Sequence, residues 1–267
     1  MIIKFIYFPL SLHNYKESSS SFEVILYLSY FESRLLANFD NFNDILEKLE
    51  FCEKLGIKNV ILEPKNNIIA IPLELKSKIR LETKINTLYR INLRLNNSED
   101  FKRRIKHFNN FSDILSIESL NKEVQLRAAR DSRVDIVSFS NSELIKTLTP
   151  GVISLIKQNN SFLEFSLAPL MVKNKVTQSK NLRNLYRFIQ LALKSKVNCI
   201  ISGNFDDMYD FRHPRALISI CYSLLGVPLD RAKKIFKINP ISLLERVNRR
   251  NTNNFEPQVR LIKGGET

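Results

Sequence analysis

The chain has 267 residues, 44% of them hydrophobic, which suffices to bury a sizeable core and excludes a disordered or fibrous protein. Its 41 Lys and Arg residues outnumber the 27 Asp and Glu residues, which gives a formal net charge of +14. The longest apolar stretches, such as residues 22–31, are shorter than the roughly 18 residues that a membrane helix needs, so we expect a cytoplasmic protein without a membrane partner.

Basic residues are concentrated in the last three quarters of the chain. Residues 1–60 hold 6 basic and 8 acidic side chains, residues 61–180 hold 20 and 12, and residues 181–267 hold 15 and 7. Such a distribution attracts polyanions, with nucleic acid favoured over an anionic membrane surface. A generally basic proteome and acidic patches on a protein partner are the remaining interpretations.

Short apolar runs alternate with helical patterns along the chain. Seven runs predict strands, at residues 23–30, 58–62, 88–95, 113–117, 134–139, 162–166 and 198–202. Helical patterns cover residues 43–55, 98–108, 121–130, 150–158 and 182–194. Gly56 and Gly226 follow helical patterns, and Ser98 and Asn121 precede acidic first turns, as expected at helix ends. Residues 66–86 fit neither pattern and predict a loop or an insertion with a basic edge.

Several predicted strands are apolar on successive residues, as in Ile61-Leu62 and Ile200-Ile201, which is typical of strands covered on both faces. We therefore predict an α/β fold, a TIM-barrel-like (β/α) repeat with about seven parallel strands and surrounding helices. Residues 21–250 would form this single domain. Residues 1–20 would be an N-terminal extension, and residues 251–267 would be a flexible basic tail.

Catalytic chemistry has little support in the sequence. The six glycines form neither of the G-x-G-x-x-G and G-x-x-x-x-G-K-[ST] patterns that cradle phosphates, and His13, His107 and His213 lie far apart. We expect no catalytic residue, no metal site and no bound cofactor in this chain. Four carboxylates near strand ends are interpreted as capping or ion-paired acids, with a carboxylate-only magnesium site as the alternative: Glu63, Glu118, Asp207 and Asp210.

Arginines recur with regular spacing in the basic part of the chain. Arg90 and Arg94 share one face of a predicted strand, because side chains alternate with a period of two. Arg183 and Arg187 share one face of a predicted helix. The guanidinium group can bind phosphate oxygens with two parallel hydrogen bonds. The residues predicted to bind phosphate groups of a nucleic acid are Arg90, Arg94, Arg127, Arg133, Arg183, Arg187, Arg212 and Arg215.

The segment around Pro214 allows two interpretations. Arg212 and Arg215 flank a predicted helix start, where free N–H groups also favour an anion. Three nearby carboxylates could instead pair with both arginines: Asp206, Asp207 and Asp210. The sequence does not choose between phosphate contact and internal salt bridges.

Residues 202–217 carry a distinctive pattern. A serine follows a predicted strand, Asp207 and Asp210 stand three apart, and Arg212 and Pro214-Arg215 precede an apolar helix. This stretch resembles the signature of protein component three of archaeal ribonuclease P, the counterpart of the thirty-kilodalton eukaryotic subunit. Further similarity lies at residues 127–129, 134–136, 164–170, 184–188, 239–240 and 246. The chain departs from the family pattern at Gly203, Tyr209 and Ala216, where serine, tryptophan and an acid are usual.

The resemblance implies a TIM-barrel-like, non-catalytic protein subunit of ribonuclease P, the endoribonuclease that removes the 5′ leader of precursor tRNA. In that assembly the RNA is catalytic and uses Mg²⁺, so no active site is expected in this chain. The implied partners are the ribonuclease P RNA, protein component two and other ribonuclease P protein subunits, with precursor tRNA as an indirect partner. The arginines predicted above would then neutralise phosphates of the ribonuclease P RNA. The alternative is a metal-dependent phosphoesterase on a similar barrel, using Glu63, Glu118, Glu164 and Asp207.

Overall fold

The structure, a computed structural model, describes residues 29–66, 68–109 and 111–253. The strands are β1 (Phe31–Ala37), β2 (Asn59–Pro64), β3 (Asn86–Arg94), β4 (Ile114–Glu118), β5 (Ile136–Phe139), β6 (Phe162–Ser166) and β7 (Cys199–Ser202). The α-helices are α1 (Phe42–Lys54), α2 (Leu73–Glu82), α3 (Ser98–Ile105), α4 (Lys122–Arg130), α5 (Ser142–Thr147), α6 (Pro150–Gln158), α7 (Lys175–Ser195), α8 (Pro214–Ser223) and α9 (Leu229–Asn253). Short 3-10 turns occupy Lys106–Phe108, Ala168–Leu170 and Met208–Asp210.

The strands form one parallel sheet that curls into a nearly closed barrel. They follow one another in chain order from β1 to β7, and every neighbouring pair is parallel. At the seam, Glu32 Oε1 on β1 accepts a hydrogen bond of 3.0 Å from the backbone N–H of Gly203, directly after β7. The predicted α/β fold, a TIM-barrel-like repeat with about seven parallel strands and surrounding helices, is confirmed.

Side chains on each strand alternate between the barrel interior and the surrounding helices. Near the strand N-termini the interior is apolar and holds Ile61, Ile114, Ile136, Phe162 and Ile200. Outward-facing residues such as Val60, Leu62 and Leu93 belong to the main core beneath the helices. Two residues further along the strands, the inward positions become polar or charged, as at Glu63, Ser116, Ser138 and Glu164. The interior therefore has an apolar floor beneath a charged layer.

Helix α9 closes the N-terminal end of the barrel. Its Leu243 and Val247 pack against the apolar floor. Its Arg250 Nη1 donates to both carboxylate oxygens of Asp135, at 2.9 and 2.8 Å, and Arg246 Nε donates to Asp135 Oδ1 at 3.3 Å. Since Asp135 directly precedes β5, these contacts fix the helix to the end of the sheet.

Six of the seven predicted strands coincide with observed strands. The predicted strand at residues 23–30 falls outside the described residues except for its last two positions, which are not in a strand. The first described strand, β1, was not predicted, because Glu32, Ser33 and Arg34 interrupt its apolar pattern. All three are buried, since the barrel interior supplies the partners that such side chains need.

Four of the five predicted helices begin within one residue of an observed helix, and four end within one residue of it. Gly56 and Gly226 adopt positive φ angles of 72° and 63° after α1 and α8, as their positions predicted. The prediction of a loop or insertion at residues 66–86 is wrong, because α2 occupies much of this segment. Only Ile79 of α2 is buried, so the helix leaves little apolar periodicity in the sequence. Helix α7 begins at Lys175, well before the predicted start at residue 182.

The chain ends lie largely beyond the described residues. The described residues do not include the predicted N-terminal extension at residues 1–20. They also do not include residues 254–267 of the predicted tail. Helix α9 itself continues to Asn253, past the predicted domain end at residue 250. None of the helices in the described regions is long and apolar enough to cross a membrane.

Candidate nucleic-acid interface

The charged layer of the barrel interior is a network of two arginines and three glutamates. Arg34 donates from Nη1 to Glu118 Oε1 at 2.7 Å and from Nη2 to Glu63 Oε1 at 2.8 Å. Arg90 donates two hydrogen bonds of 2.8 Å to the carboxylate of Glu164, and its Nε lies 2.9 Å from Glu63 Oε2. All five side chains are buried, and each glutamate contacts at least one of the two guanidinium groups.

The charges and hydrogen bonds of the two arginines favour the ionised forms of Glu118 and Glu164. Burial by itself would raise the pKa of Glu118, but the charge and hydrogen bond of Arg34 hold that pKa well below its ordinary value. Burial also opposes ionisation of Glu164, and the charge and hydrogen bonds of Arg90 lower its pKa in the same way. The three carboxylates are therefore committed to the two guanidinium groups.

A metal-dependent phosphoesterase would need these carboxylates for a cation. Glu63, Glu118 and Glu164 instead contact Arg34 and Arg90, which place positive charge where a metal ion would bind. The fourth residue of that alternative, Asp207, caps the 3-10 turn after β7 by accepting a hydrogen bond of 3.0 Å from Tyr209 N–H. Across the described ranges, no group of three or more His, Cys, Asp and Glu side chains is arranged to hold a metal ion. These residues do not fit a magnesium site.

Sequence reasoning missed Arg34 and Glu32, which complete the interior. A usable signal was present, because the two charged residues stand two apart beside an apolar run and so share one face of a strand. The Arg90 prediction, in contrast, is wrong. Its side chain is fully buried and paired with Glu63 and Glu164, so it has no surface to offer a phosphate.

Arg94 lies four residues after Arg90, at the C-terminal end of β3 and the mouth of the barrel. Its side chain is 44% exposed, and its contacts with Glu63 and Glu118 are long, at 3.5 and 3.4 Å. The predicted shared face of Arg90 and Arg94 is confirmed, since both contact Glu63 in the interior. Only Arg94 remains accessible to a ligand.

Arg127 and Arg133 are both engaged with carboxylates. Arg127 Nη2 lies 2.9 Å from Glu123 Oε1, one helical turn earlier on α4. Arg133 Nη2 lies 2.6 Å from Asp131 Oδ2, and its Nη1 donates to Asn109 at 2.7 Å. Arg133 precedes β5 and therefore lies at the opposite end of the barrel from Arg94. A phosphate contact by either residue stays a prediction.

Arg183 and Arg187 are exposed on α7, a helix whose charged side chains are all positive. The helix contains five cations and no carboxylate: Lys175, Lys180, Arg183, Arg187 and Lys194. Arg183 Nε donates to the carbonyl of Ser179, and the Arg187 guanidinium lies 5.7 Å from the Phe188 ring. Within the part of the chain that the structure describes, no cation of α7 forms an ion pair. Its positive charge is open to a partner.

Arg212, on the loop between β7 and α8, and Arg215, the second residue of α8, are exposed. Arg212 Nη1 donates to the carbonyls of Tyr209 and Phe211, at 2.6 and 2.8 Å, and so stabilises its own loop. The neighbouring Asp206 pairs with Lys65. Among the described residues, neither arginine forms the internal salt bridge that the sequence allowed.

The eight predicted arginines thus do not converge on one surface. Arg90 is inside the barrel, Arg94, Arg212 and Arg215 follow the C-terminal ends of strands, and Arg133 lies at the N-terminal end. Of these eight, the exposed arginines without a carboxylate partner in the described regions are Arg183 and Arg187 on α7, Arg212 before α8 and Arg215 in its first turn. These four define the candidate interface.

Fold and charge together define a class of protein: a TIM-barrel-like α/β protein whose interior charges neutralise one another and whose open positive charge lies on its outer helices. The particular family follows from the sequence. Residues 36–252 match the family model described as RNase P subunit p30, and the chain belongs to this family. Its role is therefore that of a ribonuclease P subunit in tRNA processing.

Solved structures share the fold at low sequence identity. A chain of archaeal ribonuclease P with mature tRNA, determined by cryo-EM, superposes with a TM-score of 0.67 at 16% identity, covering 89% of this chain and 100% of that chain. The phosphotriesterase homology protein from Escherichia coli, complexed with phosphate in its active site, gives a TM-score of 0.53 at 11% identity, covering 81% and 98%. A putative prolidase from Bifidobacterium longum gives 0.56 at 7% identity, covering 82% and 70%. At these identities the similarity shows the fold alone.

Proposed function

We propose that this chain is a non-catalytic ribonuclease P subunit that binds and supports the catalytic RNA through α7 and the start of α8. Its proposed partners are the ribonuclease P RNA, protein component two and the other protein subunits, with precursor tRNA as an indirect partner. Membership of the RNase P subunit p30 family supports this role, and so does the shared fold with a chain of archaeal ribonuclease P. The Mg²⁺ ions of the reaction would be bound by the RNA, and the assembly would be cytoplasmic.

The observation that carries the RNA contact is the open charge of α7. A helix with five cations and no carboxylate repels itself along its length, and a polyanion relieves that repulsion. Arg183 and Arg187 are one turn apart on the exposed side, where both can reach successive phosphates of one strand. Such contacts read the shape and backbone of RNA and do not depend on base identity.

Cleavage of precursor tRNA at limiting Mg²⁺ tests the subunit role. The cognate ribonuclease P RNA is assayed alone, with this chain, with protein component two, and with both proteins. We expect stimulation when both proteins are present, because the pair would support the active fold of the RNA. Cleavage that remains at the level of the RNA alone, with both proteins folded, would contradict the proposal.

The salt dependence of RNA binding tests the interface. Each neutralised phosphate contributes about 0.7 to 0.9 to the slope of log K against log salt. The R183Q/R187Q variant should therefore lower the magnitude of the slope by about 1.4 to 1.8. The matched control is R103Q/K146Q, which removes two exposed cations that already pair with Asp100 and Glu143. Equal slopes for the two variants would remove α7 from the interface.

A further inference from the structure

A groove runs along α9 at the N-terminal end of the barrel, away from the candidate interface. Its first part is a cavity of about 240 Å³ between the end of α7 and the start of α9, lined by Lys196, Arg231 and Lys234. Its second part is a cavity of about 470 Å³ lined by Arg249 and other residues of α9 and the neighbouring loops. Asn198 lines both cavities, so the two parts adjoin at this residue.

The groove is positively charged along its whole length. Lys196, Arg231, Lys234 and Arg249 are exposed, and none of the described residues that line either cavity is a carboxylate. Arg246 also lines the groove, but its guanidinium is used on Asp135 and on backbone carbonyls that hold α9 in place. Lys196, Arg231 and Lys234 therefore carry the positive charge that is open to a ligand.

The groove also offers neutral hydrogen-bonding groups between its cations. The exposed amides of Asn160 and Asn198 lie on the loops before β6 and β7, and Ser242 contributes a hydroxyl from α9. Amides and hydroxyls can bind sugar hydroxyls, whereas the cations bind phosphates. The groove therefore offers partners for both the phosphates and the sugar hydroxyls of a nucleic-acid backbone.

The dimensions of the groove point to an extended ligand. The helical rise of about 1.5 Å per residue places Arg231 and Arg249 about 27 Å apart along α9, a distance that spans several phosphates of a nucleic-acid strand. Lys196 directly follows α7, so the groove continues the open charge of that helix around the end of the barrel. A nucleic-acid strand bound to α7 can therefore extend into the groove.

We infer that the α9 groove is a second RNA-binding surface, which holds the sugar-phosphate backbone of RNA at the N-terminal end of the barrel. The inference rests on the proposed function for the identity of the polyanion, and it adds a site that the sequence predictions do not include. Arg231, Lys234 and Lys196 bind phosphates, and Asn160 and Asn198 bind the intervening sugars.

Binding of the cognate ribonuclease P RNA by the full chain, measured over a range of salt concentrations, tests the inference. R231Q/K234Q should lower the magnitude of the log K against log salt slope by about 1.4 to 1.8, and the separate variant K196Q by about 0.7 to 0.9. R103Q/K146Q serves again as the control and should keep the full slope. Circular dichroism establishes that each variant is folded, which is expected because the substituted side chains are exposed.

The outcomes separate the inference from the proposed function. Full slopes in both groove variants, with a reduced slope in R183Q/R187Q, would overturn the inference and leave the proposed function standing. A groove variant that keeps its RNA slope but no longer co-purifies with protein component two would also overturn it, because the groove would then hold a protein. Failure of the unaltered chain to bind RNA and to stimulate cleavage would remove both.

Discussion

Arg34 is the single residue on which the barrel interior most depends. Its two terminal nitrogens serve Glu63 and Glu118, which come from β2 and β4, and no other buried cation of the described interior contacts Glu118 as closely. A buried ion pair adds little stability relative to an apolar pair, but removal of one partner leaves an uncompensated charge in a medium of low polarity. Removal of Arg34 therefore destabilises the fold by much more than its ion pairs stabilise the fold relative to apolar side chains.

Substitution of Arg34 by Met should lower the free energy of unfolding by about 3–5 kcal/mol, because Glu118 loses its closest buried cation and Glu63 is left with Arg90 as its buried partner. Urea unfolding followed by circular dichroism measures this change. Arg103→Met is the matched control: it breaks an exposed ion pair with Asp100 on α3, and such pairs contribute less than about 1 kcal/mol. A loss for Arg34→Met as small as that of the control would show that water or another cation compensates the glutamates.

Glu32 makes the stability of the fold depend on pH. Burial raises the pKa of its carboxyl to about 7, although hydrogen bonds from the N–H groups of Arg34 and Gly203 oppose the shift. The unfolded chain releases this proton near the ordinary pKa of 4.5. Between these values the folded state holds the proton and the unfolded state does not, so stability falls as the pH rises from about 4.5 to 7.

The variant Glu32→Gln removes this titration. Relative to the variant, the unaltered chain should lose stability on the order of 3 kcal/mol between pH 4.5 and pH 7, with no further relative change above that range. Urea unfolding at several pH values gives the difference. Glu50→Gln alters an exposed carboxyl on α1 and should leave the pH profile unchanged. Parallel profiles for the chain and Glu32→Gln would mean that Glu32 is ionised throughout.

At the level of elements, α9 combines two tasks. On one face, Leu243 and Val247 pack against the apolar floor. Arg246 and Arg250 donate hydrogen bonds to Asp135 and to backbone carbonyls near the strand N-termini. The α9 groove lies along the adjoining side of the helix, and Arg246 borders both. Since one carboxylate serves two guanidinium groups, Asp135 controls whether the helix stays docked.

Asp135→Asn should destabilise the chain by about 2–3 kcal/mol, because charge-assisted hydrogen bonds to both arginines are lost. Amide hydrogen exchange should accelerate in α9 before it does in the central strands, which remain paired on both sides. Lys233→Gln, an exposed change on the same helix, should leave exchange unaltered. Uniform acceleration across all strands would contradict a local role for Asp135.

On the scale of the whole molecule, the fold separates a closed interior from an open exterior. The barrel shared with the phosphotriesterase homology protein is filled here by Arg34 and Arg90, whereas open positive charge lies on α7, beside α8 and along α9. Because α7 and the α9 groove are distinct surfaces, substitutions on them should act independently.

The combined variant R183Q/R187Q/R231Q/K234Q tests this independence. Its salt slope for ribonuclease P RNA should fall by about 2.8 to 3.6, the sum of the two double variants. A fall no larger than that of one double variant would mean that RNA uses only one of the two surfaces. Thermal unfolding of the combined variant checks that its fold is intact.

The sequence by itself determined the local periodicities. Six strands, most helices and the parallel arrangement follow from apolar runs and helix-end residues, since these depend on neighbours a few positions apart. The alternation of Arg90 and Arg94 likewise predicted their shared face. It left open whether that face pointed to water or to the interior.

Only the tertiary structure decided which charges are compensated. Arg34 and Glu118 lie 84 positions apart in the chain, and Arg250 and Asp135 lie 115 apart, so their pairing depends on how the barrel closes. The same closure buried Arg90, placed α9 over the N-terminal end and brought the end of α7 beside the start of α9. The net charge is a sum over all residues of the sequence. The charge available to RNA is that of the side chains that are not paired with other residues of the folded chain.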